Sequence, residues 1–85
     1  MVLHLGADVV VPLKEVIAIF DIKDANSPVN RSFLQTMREE DMTFDVSEGN
    51  PKSFVLTDKK VYLSAISSLT LKKRAENVYY MTDLQ

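Results

Sequence analysis

Residues 16–37 read VIAIFDIKDANSPVNRSFLQTM, and the change of hydrophobic period inside this stretch decides the fold class. Val16-Ile17-Ala18-Ile19-Phe20 is a short apolar run, rich in β-branched side chains and too brief for a buried helix. It predicts a strand over residues 15–22, buried on both faces and therefore central in its sheet. Lys23-Asp24-Ala25-Asn26-Ser27-Pro28 is turn chemistry that ends as a helix start. Ser27 can cap, and Pro28 suits the first helical position because the N–H it lacks would have no helical partner there. Val29, Phe33, Leu34 and Met37 then recur at i, i+4, i+5 and i+8, one stripe of a helix, with Arg31, Arg38 and Glu39 off it. This spacing predicts an amphipathic helix packed on the sheet. It should fray at Glu39-Glu40-Asp41, because negative charge opposes the dipole at a helix C-terminus.

Upstream of this unit, Val2, Leu3 and Leu5 lead through Gly6-Ala7-Asp8 to Val9-Val10-Val11 and a stop at Pro12, the pattern of a hairpin. Downstream, the period falls to two at Met42, Phe44 and Val46 before the turn Glu48-Gly49-Asn50-Pro51. Phe54-Val55-Leu56-Thr57, a tight Asp58-Lys59 turn and Val61-Tyr62-Leu63 complete an antiparallel meander. Ser67-Ser68 can cap a short helix through Leu69, Leu71 and Arg74, and Val78-Tyr79-Tyr80-Met81 reads as a last strand or a docked tail. The expected fold is α+β: a mostly antiparallel sheet, one amphipathic helix after the central strand and a short C-terminal helix, in one domain spanning residues 1–85.

With 85 residues, 46% of them hydrophobic, the chain can build one core but not two. So small a core leaves a narrow stability margin, which favours burying further surface against copies of itself. The absence of cysteine removes disulfides, thiolate metal sites and thiol nucleophiles, and fits a reducing compartment. No run of about 18 apolar residues suggests a membrane span, and Met1-Val2-Leu3-His4 lacks the flank of a signal peptide, so the expectation is a cytoplasmic protein.

Chemistry-bearing constellations are scarce. His4, the sole histidine, stands between leucines without a nearby acid, as a structural or interface histidine would. Glu39-Glu40-Asp41 lacks the alternating ligands of a calcium loop and reads as a solvated face. Gly6 and Gly49 are the only glycines, too few for a phosphate-cradling or dinucleotide loop. Ser64, Ser67, Ser68 and Thr70 read as caps and turn residues. These features point away from an enzyme, and to no cofactor, metal or small-molecule substrate.

Charge is more informative. The chain carries a net −2, yet residues 1–51 sum to −5 and residues 52–74 to +5. Lys72, Lys73 and Arg74 have two readings. They are a solvated helix end suited to the dipole, or, with Lys52, Lys59 and Lys60, a patch for nucleic-acid phosphates.

The ordered landmarks His4-Leu5-Gly6, Val9-Val10-Val11, residues 16–21, Asn26-Ser27-Pro28, Pro51-Lys52-Ser53, Tyr62-Leu63-Ser64 and residues 69–75 resemble the extracellular matrix regulatory protein B (RemB) family. This is the sibling of the RemA biofilm-matrix activators of Gram-positive bacteria, and the resemblance covers nearly the whole chain. It implies a cytoplasmic transcriptional regulator of extracellular matrix genes. The RemA branch binds DNA, forms closed rings and is similar to LytTR-type DNA-binding domains, so double-stranded DNA and further copies of the chain are the implied partners. In that branch one arginine precedes the central strand and a pair follows the turn glycine. Here those positions hold Glu15, Asn50 and Pro51, with Lys14 and Lys52 adjacent. Lysine brings charge without the bidentate fork of arginine. The candidate DNA contacts are Lys14, Lys52, Lys72, Lys73 and Arg74. The alternative is a homo-oligomeric protein-interaction module that partners another regulator and does not bind DNA.

Overall fold

Leu3, Leu5 and Val11 are buried while Val2, His4 and Val10 are exposed, and this period of two forms the hairpin of β1 (Val2–Gly6) and β2 (Val9–Pro12). The structure, a computed structural model, describes the backbone of residues 1–83 and side chains as far as Asn77. At the hairpin tip Ala7 and Asp8 have φ of +49° and +60°, the sign pattern of a type I′ turn. Alanine is a poor residue there, since left-handed backbone costs an L-residue about 1–2 kcal/mol. Ala7→Asn is therefore expected to stabilise the fold by about 0.5–1 kcal/mol, raising the melting temperature by about 4 °C in a thermal scan. An unchanged or lower melting temperature would mean that the loop is not strained.

A four-stranded sheet in the order β3-β5-β6-β4 forms from β3 (Val16–Asp21), β5 (Ser53–Thr57), β6 (Val61–Ser64) and β4 (Thr43–Asp45). The strand expected at the centre, β3, thus lies at an edge, and two-sided apolar content misled the sequence reading. Ile19 joins the core on one face, while Phe20 stacks on Phe54 on the other at 4.8 Å between ring centroids. Val16 pairs with Thr57 and Ala18 with Leu56, so Ile17 is the extra residue of a β-bulge and is 63% exposed.

The expected meander is also corrected. β5 and β6 are an antiparallel hairpin closed by Thr57, whose N–H donates to the Lys60 carbonyl at 2.9 Å. β4, however, pairs with β6 in parallel, Thr43 opposite Val61 and Asp45 opposite Leu63. The turn after β4 does reverse the chain, but it leaves one strand position open, and β6 fills it. Hydrophobic alternation specifies faces, not neighbours.

Helix α1 (Pro28–Glu39) starts as read, with Asn30 N–H donating to Ser27 Oγ at 3.3 Å. Its end is closed, not frayed. Asp41 takes φ +58°, and Met42 N–H donates to the Met37 carbonyl at 2.8 Å, which makes a Schellman cap. The apolar stripe covers less than expected, because no α1 side chain is fully buried and Val29 is 79% exposed. The helix lies against a 3-10 turn (Ile22–Asn26) and β4.

Helix α2 (Ser68–Asp83) is the longest element, with Thr70 N–H donating to Ser67 Oγ at 3.2 Å. The C-terminal helix is therefore not short, and residues 78–81 continue it instead of forming a strand or tail. Leu71 on α2 joins Leu3, Leu5, Val11, Leu13 and Val55 in the main core. Hairpin and α2 thus cover one face of the large sheet, α2 packing on β3 and β1 while the hairpin meets β6, where Ser64 Oγ donates to the Leu5 carbonyl.

Candidate nucleic-acid interface

Lys14 sits in a 3-10 turn (Leu13–Glu15) just before β3. Asp58 N–H donates to the Glu15 carbonyl at 3.2 Å, so Lys14 shares one end of the sheet with the turn that holds Lys59 and Lys60. Lys52 is at the other end, where its N–H donates to the Ser64 carbonyl at 2.8 Å and its carbonyl accepts Ile22 N–H at 3.0 Å. The five residues of β5 separate the two lysines, roughly 17 Å of strand. The third location is α2. Relative to buried Leu71, Lys72, Lys73 and Arg74 project at about 100°, 200° and 300° around the axis. Arg74 turns back to the hairpin, where Nη1 donates to the His4 carbonyl at 3.2 Å. The structure therefore groups Lys72 with Lys73, gives Arg74 a structural contact, and leaves Lys14 and Lys52 apart.

All five cations are exposed, and none is held in an ion pair among the described residues. Their surroundings differ. Lys52 follows a loop that carries Asp45, whose Oδ1 accepts the Ser47 hydroxyl and, at 2.8 Å, the Ser47 N–H. Its Oδ2 accepts Gly49 N–H at 3.1 Å. The Ser47 hydroxyl, then the Ser47 amide, hold the Asp45 carboxyl below the usual carboxylate range, so this end keeps its negative charge. Glu15 and Asp58 share the Lys14 end. The basic turn of α2 has no carboxylate in sequence before Glu76.

Two features escaped the sequence reading. Arg31 and Arg38, seven residues apart and so on one line of α1, border an open cleft of about 460 Å³ with Leu34 and Gln35, and Arg31 donates to the Asn26 carbonyl at 3.1 Å. Their spacing was the available signal. The second is a buried polar clasp. Ser53 and Ser64 are cross-strand partners, both fully buried. Ser53 Oγ donates to the Ile66 carbonyl and Ser64 Oγ to the Leu5 carbonyl, each at 2.7 Å. Sequence offers no signal for this, because serines beside turns are usually solvated.

Among the described residues no three His, Cys, Asp or Glu side chains gather as metal ligands, and no helix is long and apolar enough to cross a membrane. The described surface carries dispersed cations, an acidic flank and uncovered apolar side chains on a small α+β domain. The chain matches the RemA-like family, described as extracellular matrix regulatory protein A-like, over residues 2–75, and it belongs to that family. It is also 39% identical over 79 residues to Extracellular matrix regulatory protein B of Bacillus subtilis (strain 168), which covers 93% of this chain and 95% of that protein. The family and this relative bear the names of extracellular matrix regulators, in keeping with the resemblance carried by the sequence landmarks.

Proposed function

We propose that the protein is a cytoplasmic, homo-oligomeric transcriptional regulator of extracellular matrix genes that meets the DNA backbone through cations pooled from several copies. One observation carries this reading: Lys14, Lys52, Lys72, Lys73 and Arg74 are all exposed and, among the described residues, without carboxylate partners, yet too dispersed for one subunit to present a groove. Two or three phosphate contacts per subunit bind weakly, whereas a closed assembly repeats them, and each linked contact gains effective concentration. The absence of arginine at residues 15, 50 and 51 leaves only lysines beside those positions, point charges without a bidentate fork, and so favours the second reading below.

The test is a salt titration of duplex binding on a sample whose mass in solution is known. Log affinity should fall linearly with log salt, by about 0.9 for each phosphate neutralised. Lys14→Glu with Lys52→Glu should weaken binding about tenfold. No duplex binding at low salt, or binding indifferent to these reversals, rules the proposal out.

A second reading, a protein-interaction module that leaves DNA alone, draws on the apolar surface at β4, where Met42, just before the strand, and Phe44 are each 40% exposed. Recovery of a stable protein complex by a chain that ignores DNA would favour it.

A further inference from the structure

Arginine is used sparingly in this chain. Most of its cations are lysines, and two of the three arginines, Arg31 and Arg38, stand on α1 at a single cleft. Neither belongs to the apolar stripe of the helix. Phe33 and Met37 lie on that stripe, whereas Arg31, Gln35 and Arg38 recur at i, i+4 and i+7 on the side turned away from it, with half-buried Leu34 between the two faces.

The cleft holds about 460 Å³, and its other wall is Ala25 and Asn26 of the 3-10 turn that precedes the helix. Two bonds fix that wall to α1. Arg31 Nη2 donates to the Asn26 carbonyl at 3.1 Å, and Asn30 Nδ2 donates to the Asp24 carbonyl at 2.9 Å. A wall held in this way loses little freedom when something enters the cleft. The bond to Asn26 orients the Arg31 guanidinium and leaves most of its donors unused. The Arg38 guanidinium has no partner among the described residues. Glu39, the carboxylate at the end of the cleft, is turned to its own helix, where Oε1 accepts Gln35 Nε2 at 3.2 Å. Two planar forks are therefore open along one ridge, their Cα atoms about 10 Å apart along the helix axis, with Leu34 and Gln35 between them.

Forks of this kind take carboxylates bidentately. A helix laid along α1 presents side chains at the same spacing when its acids are seven residues apart, and a residue midway between them then faces Leu34. We infer that the α1 cleft docks an acidic amphipathic helix of a partner protein, whose carboxylates at i and i+7 pair with Arg31 and Arg38 while an apolar side chain at i+3 or i+4 meets Leu34. A long polyanion fits the surroundings poorly. Past Arg38 it would run into Glu39, Glu40 and Asp41, and residues 1–51 sum to −5. Two discrete acids separated by an apolar residue avoid that repulsion. The inference goes beyond both readings above, since neither uses Arg31 or Arg38, and it holds whether or not the chain binds DNA.

The experiment is fluorescence anisotropy on the full-length protein with a labelled, alanine-based helical peptide of roughly 18 residues, long enough to hold a helix, that carries Glu at i and i+7 and Leu at i+3 and i+4. Binding is expected at low salt and should weaken as salt rises. Replacing both glutamates of the peptide by glutamine should weaken it about tenfold. Arg31→Gln and Arg38→Gln should each cost about fivefold, and Glu39→Gln, which removes the carboxylate at the cleft, should tighten binding about twofold. Arg38→Gln breaks no bond within the described fold, so its effect is separable from any disturbance of the turn at Asn26. Circular dichroism checks that each variant is folded. No binding at low salt, or binding indifferent to Arg38→Gln, overturns the inference. So does displacement of the peptide by free glutarate at equal concentration, which would make the cleft a small-anion site. Tighter binding of duplex DNA through the same two arginines, or a change in the mass of the protein in solution with Arg38→Gln, would assign the cleft to nucleic acid or to a second copy and overturn it as well.

Discussion

Leu71→Ala is expected to lower stability by about 3 kcal/mol and the melting temperature by about 12–24 °C. Leu71 has no exposed surface and meets Leu3, Leu5, Val11, Leu13 and Val55, so it is where α2, the hairpin and the large sheet share one core. Truncation forfeits its transfer energy and leaves a cavity that two β-layers and a helix cannot readily close. Helix propensity is not the cause, since alanine is the better helix former. A folded chain of 85 residues holds roughly 4–13 kcal/mol in total, so this one side chain accounts for a large share. Leu69→Ala supplies the contrast. The same atoms removed two residues away, from an exposed site, should shift stability by no more than about 0.5 kcal/mol at concentrations where copies do not associate. Equal melting of the two variants would show that α2 is not seated by Leu71.

What could be read from the sequence follows the range of the forces involved. The first hairpin, the Ser27 cap with Pro28, the Ser67 cap and the Thr57–Lys60 turn are local, settled by residues within a few positions of one another. Each was legible. Strand neighbours were not, because they depend on contacts distant in sequence. The run at residues 16–20 is as apolar at an edge as it would be in the centre when one face meets the core and the other a stacked phenylalanine. Nothing in Met42, Phe44 and Val46 says that β6 would slip in beside β4. The site divides the same way. Lys52 and the α2 triplet could be named from charge, and Lys14 only from the family resemblance, but not their separation by the length of β5, nor the bond that ties Arg74 to His4, seventy residues away in sequence.

Apolar patterning also identified more surface than one protomer buries. Val29, Met42, Phe44 and Leu69 occupy positions that periodicity assigned to buried faces or to a helix start, and all four remain exposed. Scattered exposed leucines need no explanation, but a patterned stripe bordered by a single sign of charge does. Under the proposed homo-oligomeric reading, contact between copies would cover part of it, and the same contact would bring dispersed lysines together.

Ser64→Ala removes a single oxygen yet is expected to cost about 2–4 kcal/mol. The hydroxyl is fully buried, donates to the Leu5 carbonyl at 2.7 Å and accepts Ile66 N–H at 3.0 Å. Without it, two backbone groups lose a partner inside the protein, and an orphaned buried group costs about 1–3 kcal/mol where a made bond contributes only about 1. Leu5 is on the hairpin, Ser64 at the end of β6 and Ile66 just before α2, so the damage should fall on the joint between layers and not on the sheet. Hydrogen exchange distinguishes the two. Amides of β1 and the first turn of α2 should lose protection together in the variant, while those of β5 follow only global unfolding. Ser53→Ala should do less, since the Ile66 carbonyl is the one acceptor its hydroxyl serves. If Ser64→Ala instead melts within a degree or two of the wild type, water has replaced the hydroxyl, and the hairpin is held to the sheet by the leucine core alone.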